Sequence, residues 1–411
     1  MGEKPVAEVA VVGAGPAGIS AALALAAAGL DVVLAAPPFD PGRNQADRRT
    51  TLLLPHSVDF LANLGVWPLC AMHSAPMLGL RIADSRRSVV TAPEILFSAN
   101  ELGLESFGAN VPNPALEAAL SRVADRAPRL RRIGAVAAAE TGAHSVKLRL
   151  VDSGEVETSL AVAADGRNSL VRAAAGIGVK PWHYPQAAIA ASFRHSRAHQ
   201  GISTELHGRA GPLTTVPLPG DASSLVWVEE PDDAQRLATL PDAQFIAALE
   251  ERLQGLLGTI TDAGQRAVHP LSGLRADSMG EARVALVGEA AHVLPPIGAQ
   301  GLNLSLRDAA ALADCVADAR DRGEDVGGPA MLAAYRSSRA TDVLARSITI
   351  DLLNRSLLTE FLPVEAMRGL GALLLANVAP LRRLAMQAGL SGMGPLPRLM
   401  RRGSPNSTAG A

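Results

Sequence analysis

Cysteine occurs twice in 411 residues, at Cys70 and Cys315, too few for a disulfide framework or for a zinc or iron-sulfur site held by cysteines. There is no CxxC pair, so dithiol redox chemistry is excluded. Lysine is confined to Lys4, Lys147 and Lys180, and arginine supplies almost all of the positive charge. The formal net charge of -2 lacks the basic excess that a nucleic-acid-binding surface needs. No apolar run reaches the ~20 residues of a membrane-spanning helix. The longest near the C-terminus covers Leu370 to Leu381. The stretch Ala17 to Leu34 is apolar but broken by Gly29 and Asp31, without a basic leader or cleavage-like region, so it reads as a helix and strand rather than a targeting segment. No metal-ligand cluster and no internal repeat is evident, and the cytoplasm is the expected compartment. What remains is a chain with 48% hydrophobic residues, long enough for two or three domains.

The most informative stretch is Arg283 to Asp308, RVALVGEAAHVLPPIGAQGLNLSLRD. Val284 to Val287 has the pattern of a strand buried on both faces, and Gly288 ends it where a side chain would crowd whatever lies beyond. Glu289 is thereby delivered to the strand's carboxyl end. Pro295 and Pro296 bar a helix, Gly298 and Gly301 free the backbone, and a helix then follows with Leu302, Leu306, Ala309, Ala313 and Val316 at helical spacing. Its first turn would offer bare N–H groups and a positive dipole end to a ligand group carrying negative charge, such as an anionic reduced flavin ring.

At the other end of the chain, Val6 to Gly18 reads VAEVAVVGAGPAG, a strand running through G-x-G-x-x-G into a helix, with Asp31 to Ala36 as a second strand. In that βαβ context Gly13 permits the tight turn, Gly15 lets backbone approach a pyrophosphate, and Gly18 lets helix pack on strand. A side chain introduced at Gly13 is expected to press against the pyrophosphate. The acidic residue that usually holds the ribose about 20 positions on is missing, since that region is Val33, Leu34, Ala35 and Ala36. Asp40 and Asn44 are nearby alternatives in a turn-rich loop.

Arg48 and Arg49 precede TTLLLPHSVDFLANLGVW, where Ser57 is expected to cap a short helix ending near Gly65, with His56 at its opening. Short alternating runs between Met77 and Val111 suggest antiparallel strands. Asn113 opens a helix with Pro114 in its first turn. Strands are expected over Arg132–Ala139, Ser145–Val151 and Val156–Ala163, the last running into ADGRNSLVR, with Asp165 and Gly166 at the strand end and Ser169 starting a helix. Gly176 to Arg275 reads as the body of a second domain, mostly strands with a helix over Asp242–Leu257. A helix over Pro329–Asn354 and an apolar, basic C-terminal segment follow, the latter suited either to lie on a bilayer or to form a lid, and the last few residues read as disordered.

The string GEAAHVLPPIGAQGLNLSLRD, together with VVGAGPAG and ADGRNSLVR, resembles the motifs of the FAD-dependent aromatic-ring hydroxylases, the single-component flavoprotein monooxygenases. WHYPQ, PLP, SLVW and HPLSGL resemble signatures of the branch of that family working in ubiquinone biosynthesis. The resemblance spans nearly the whole chain. It implies an α/β (α+β) fold like that of para-hydroxybenzoate hydroxylase: a Rossmann-like FAD domain over 1–75, 108–176 and 276–328, an inserted mixed or antiparallel sheet over 76–107 and 177–275 for substrate, and C-terminal helices over 329–411. It also implies non-covalent FAD held by Gly13, Ala14, Gly15, Pro16, Ala17 and Gly18, by Asp165 and Gly166, and by Gly288, Glu289, Pro296, Gly298, Ala299, Gln300, Gly301, Leu302 and Asn303.

Within that set Arg49 matches the family's pyrophosphate contact, and the Asp165-Gly166 motif has been tied to reduced nicotinamide. Glu289 stands where the family usually has Asp or Asn against the ribityl chain. The implied reaction is hydroxylation of an electron-rich phenol, with NADH or NADPH as reductant and dioxygen as oxygen source. His56 near the flavin, and Tyr184 with Gln186 on one face of a strand, are the candidates for substrate contact, and no catalytic base is evident. A prenylated phenol, a quinone-synthesis complex and peripheral membrane contact are the implied partners. A hydroxylase of a small soluble phenol, with an arginine for its carboxylate, and a non-catalytic FAD-fold subunit of a quinone-synthesis assembly are the alternatives.

Overall fold

The computed structural model describes residues 7–40, 47, 49–84, 93–358 and 362–403. Lys4, Val6, Asn44, Arg48 and the tail beyond Gly403 lie outside the described residues. Two sheets organise the chain. The first is parallel at its centre, in the order Val284–Leu286, Glu155–Ala163, Ala7–Val12, Val32–Ala35, Leu130–Ile133. Its inner strands are buried on both faces, which is why Ala7–Val12 and Val32–Ala35 read as continuous apolar runs rather than alternating ones. Helices Pro16–Ala27, Asn113–Ala124 and Gln300–Asp321 pack together over this sheet in one core. The expected strand Arg132–Ala139 divides in two: Leu130–Ile133 joins the parallel sheet, while Val136–Thr141 turns away to pair with Val146–Leu150. Gly134 lies at that break.

The second sheet is mixed and runs His292–Val293, Ala267–Ala276, Val179–His195, Ala222–Glu229, Pro212–Leu218, Ile202–His207, Gly79–Asp84, Ile95–Ser98. All pairs are antiparallel except Ile202–His207 with Gly79–Asp84. Period two sorts its faces. Leu213, Leu225 and Trp227 point under helices Pro231–Thr239 and Asp242–Leu253, where they join Phe245 and Leu249 in a separate core. Each large apolar side chain buried in this way contributes about 1.5–3 kcal/mol. Thr214, Val216, Ser224 and Val226 take the opposite face, toward the interior of the molecule. A small sheet of Thr50–Leu53, Ala109–Pro112 and Ala75–Pro76 joins the two halves.

Three expected element ends shift. The helix near His56 spans Pro55–Asn63 and starts after Leu54, so Ser57 is a buried residue inside its first turn and makes no cap. The Asp242 helix stops at Leu253, where Gln254 turns left-handed. The helix from Pro329 continues to Leu358. Beyond it, helices Leu362–Asn377 and Ala379–Leu390 form a hairpin, because Pro380 starts a new helix within the apolar run. No helix among the described residues is long and apolar enough to cross a membrane.

Candidate active site

Three loops meet at one edge of the parallel sheet because their strands end in register. Val12 lies opposite Ala163, and Ala163 opposite Leu286. The residues that follow, Gly13, Ala164 and Val287, are tied to the neighbouring strands through N–H bonds to Ala35 O at 3.0 Å, Val12 O at 2.9 Å and Ala163 O at 2.9 Å. The glycines between them differ in what they do. Gly13 has φ +109° and lies where an added Cβ would meet the Ala164 carbonyl oxygen at 2.2 Å, so its lack of a side chain serves packing between two loops. This corrects the expectation that a side chain there would press on the cofactor crevice. Gly18 packs against Gly13 O, whereas a Cβ on Gly15 would have nothing within 4 Å. Gly15 therefore opens helix Pro16–Ala27 onto free space.

Gly288, with φ +66°, approaches protein rather than crevice, since an added Cβ would meet Ala17 Cβ at 3.1 Å and Ser305 Oγ at 3.2 Å. Gly298 and Ala299 both have positive φ, and helix Gln300–Asp321 starts after them without a side-chain cap. Its first N–H groups and dipole thus face the same edge as Gly15. One arginine and one asparagine hold these loops. Arg172 donates to Ala290 O at 2.9 Å and Arg167 O at 2.9 Å, clamping the Asp165 loop to the Glu289 loop. Asn303 is spent on a tether: its Nδ2 donates to Leu52 O and Ala299 O at 2.7 and 2.6 Å, and its Oδ1 accepts from Leu54 N at 2.9 Å. Its side chain is therefore engaged within the protein, which leaves the expected backbone contribution of Gly298 to Asn303 as it stands.

A cavity of about 880 Å³ runs from these loops to the inner face of the second sheet. At the near end stand Gly15 to Gly18, Arg49, Gly166, Glu289 and the Pro295–Leu302 turn. Arg49 makes a two-pronged bond to Asp47, at 2.9 and 2.8 Å. Burial pushes the Asp47 carboxyl up, but the Arg49 side-chain and backbone bonds outweigh it and leave it below the ordinary carboxylate range. Glu289 projects from the mouth, 59% exposed, with Arg167 at 4.0 Å. The far end is apolar on one side, with Met77, Leu80, Ile82, Phe97, Phe107 and Met386, and polar on the other, with Asn110, Ser203, Ser224 and Thr50.

A family model described as FAD binding domain matches residues 6–346. The chain is 35% identical to ubiquinone hydroxylase UbiL of Rhodospirillum rubrum over 407 residues, covering 97% of this chain and 94% of that one. The chain belongs to the FAD-dependent aromatic hydroxylases, in the ubiquinone-biosynthesis branch. It is also 31% identical to the 3-demethoxyubiquinol 3-hydroxylase of Escherichia coli over 389 residues, covering 93% and 98% of the two chains. Among solved structures, p-nitrophenol 4-monooxygenase PnpA from Pseudomonas putida shares the fold, with a TM-score of 0.76 at 17% identity and coverage of 95% and 99%. This hydroxylase is accordingly an FAD-dependent monooxygenase.

The residues at the near end fit that cofactor. Asp165 Oδ2 accepts from Leu170 N at 2.9 Å, while Oδ1 is buried without a partner, next to Gly166, where an added Cβ would also meet open space. We propose that the first turn at Gly15 and Arg49 hold the FAD phosphates, that Asp165 Oδ1 and Glu289 accept hydroxyls of its sugar-like chain, and that the N–H groups after Ala299 face the flavin ring. Glu289→Ala is then expected to weaken FAD binding roughly ten-fold, the low end for a charge-assisted hydrogen bond because the group is half in water. Unfolding of the flavin-free protein should hardly change. A fall in that stability with FAD affinity intact would make Glu289 a structural residue instead.

The three candidates for substrate contact do not line the cavity. His56 is part-exposed, 3.9 Å from Asp59 in the same helix. Tyr184 and Gln186 are buried beneath helix Pro329–Leu358: the Tyr184 hydroxyl accepts from Trp182 Nε1 and donates to Asp351 at 2.7 Å each, and Gln186 Oε1 accepts from Asn354 Nδ2 at 2.9 Å. Burial, with Asp351 alongside, pushes the Tyr184 hydroxyl up to about 12. The two residues dock the C-terminal helix on the second sheet, so the substrate assignment is withdrawn. Sequence reasoning missed Asn110, an amide within the strand ANVP, and His292 with Asp308, which stand in the motif string but were not distinguished from packing.

Proposed function

We propose that this enzyme hydroxylates the aromatic ring of a prenylated phenol in ubiquinone biosynthesis, with FAD, dioxygen and NADH or NADPH. The observation that carries the reading is the cavity itself, which extends from the cofactor loops along an apolar wall and beneath the C-terminal hairpin, a surface that suits an apolar tail. Arg49 is the one arginine or lysine among the described lining residues, at the cofactor end and bound to Asp47, so no described residue at the far end offers the arginine a small aromatic acid would call for. Bound FAD supplies the oxygen activation. The chain's own part is to shield that chemistry from water and to orient the ring. Incubation of the flavoprotein with NAD(P)H and a prenylated phenol should give a product heavier by one oxygen atom, with little product from the tail-less phenol. Equal turnover of both would favour the small-phenol reading, and protein that never retains flavin would favour a non-catalytic subunit.

The hairpin also bears on where the substrate is met. Ala372, Leu375, Ala376, Met386 and Leu390 pack on Phe97 and Phe107, and Arg382 pairs with Glu101 at 2.8 Å. The opposite face leaves Leu370, Leu373, Leu374, Leu381 and Leu384 exposed, beside the exposed Arg383. Such a face suits peripheral contact with an anionic bilayer, in which a prenylated phenol resides. Wild-type protein is expected to float with anionic vesicles, and Leu373→Glu with Leu384→Glu should reduce the bound fraction at least several-fold while FAD content stays the same. Unchanged flotation would remove the membrane role and leave the face to a protein of a quinone-synthesis assembly.

A further inference from the structure

One residue of the cavity lining carries a buried polar atom without a partner. Asn110 lies at the centre of the small three-stranded sheet, opposite Leu52 on one side and Ala75 on the other, and is 1% exposed although it lines the cavity. Its Nδ2 donates to Pro217 O at 3.0 Å and Ser224 Oγ at 3.3 Å, while Oδ1 is buried and unpaired. The orientation of the amide is fixed by Pro217, because exchanging its oxygen and nitrogen would set two carbonyl oxygens against each other. The hydroxyls nearby are turned to protein acceptors: Thr50 Oγ1 donates to Ser224 Oγ at 2.9 Å and Ser203 Oγ to Thr215 O at 2.9 Å. The cavity lining therefore holds an acceptor that asks for a donor, and a desolvated amide oxygen is costly to leave without one.

A phenol brings such a donor. We propose that Asn110 is a positioning residue whose Oδ1 accepts a hydrogen bond from the substrate's ring hydroxyl, so that the ring is held at the junction of the sheets while its tail follows Leu80, Ile82 and Phe97. This rests on the prenylated-phenol reading above and names the contact that sets the ring's orientation. On the neighbouring strands Leu80 lies opposite Ser203, and Val216 opposite Ser224, so polar and apolar side chains alternate across the cavity wall, with Ser224 beside Asn110.

The experiment is a titration of the FAD-loaded protein, read by perturbation of the flavin spectrum, with a prenylated phenol and with the same molecule lacking the ring hydroxyl. Wild-type protein is expected to favour the phenol about ten-fold, the effect of one buried hydrogen bond. Asn110→Ala should bring the two ligands within about two-fold of each other and divert NAD(P)H oxidation toward hydrogen peroxide. Asn110→Asp should keep the preference at low pH, since a protonated carboxyl donates to Pro217 O in place of Nδ2 and leaves its other oxygen as the acceptor. A merely structural role would weaken both ligands alike. Preference retained in Asn110→Ala, or equal binding of both ligands to wild type, overturns the assignment of Asn110 alone. Should Asn110→Ala fail to hold FAD, the wild-type ratio and Asn110→Asp decide. If the flavin-loaded wild type binds no prenylated phenol, the substrate reading falls and this inference with it.

Discussion

Gly15→Val is expected to purify as folded protein with FAD content reduced at least ten-fold. The residue is the N-terminal cap of helix Pro16–Ala27 at φ -71° and ψ 172°, a conformation that valine adopts without strain. Around it an added Cβ meets nothing within 4 Å, so no contact of the folded chain is lost. The cost to the flavin-free protein is confined to the poorer cap, about 1 kcal/mol or less. A branched side chain at that point fills the space where backbone must approach a pyrophosphate, and blocks access to the first-turn N–H groups. Gly13→Val makes the contrasting case. Valine cannot hold φ +109°, and its Cβ would lie 2.2 Å from Ala164 O, so the two loops must part and the protein should be recovered poorly folded or insoluble. The measurement is the ratio of flavin to protein absorbance, with thermal unfolding of both variants after flavin removal. Full FAD occupancy in Gly15→Val would show that the pyrophosphate lies elsewhere.

That contrast also shows where sequence reading stops. G-x-G-x-x-G, ADGRNSLVR and GEAAHVLPP were legible because each couples a buried strand, whose apolar run is unmistakable, to glycines and a helix start. Their convergence followed from parallel strands ending at one edge. Which glycine faces the cofactor was not legible, since it depends on Ala164, which arrives from a strand some 150 positions away. Tyr184 and Gln186 were misplaced for a related reason. Period two gave their shared face, but Asp351 and Asn354, on a helix far along the chain, determine what covers that face. Asn303 sits in a cofactor motif and serves as a tether because the strand Thr50–Leu53 brings two backbone groups to it. Asn110 offered no signal at all, because an unpaired carbonyl is a property of its surroundings.

The largest effect on stability is expected from Asp308→Asn. Asp308 is fully buried in helix Gln300–Asp321 and joins the flavin loop to the C-terminal helices: His292 Nε2 lies 2.6 Å from Oδ2, Gly288 N donates to Oδ2 at 3.2 Å, and Arg339 Nε donates to Oδ1 at 2.8 Å. Arg339 is itself 1% exposed and continues to Asp342, which also meets Arg307 and Arg346. Removing one charge from this chain leaves the guanidinium buried with half of its compensation, a loss of about 3–5 kcal/mol. Burial pushes the Asp308 carboxyl up, but the charges and hydrogen bonds of His292 and Arg339 outweigh it and hold it below the ordinary value. A carboxyl depressed in the folded state contributes stability that is complete above its unfolded pKa, about 3.9, and is lost as pH falls through the lower folded value. The difference between wild type and Asp308→Asn in urea unfolding should therefore shrink below about pH 4. Combining Asp308→Asn with Arg339→Met removes the stranded charge and should recover part of the loss. No recovery in that double variant, or a difference that grows as pH falls below about 4, would show that the ion pair is not what joins the flavin loop to the C-terminal helix.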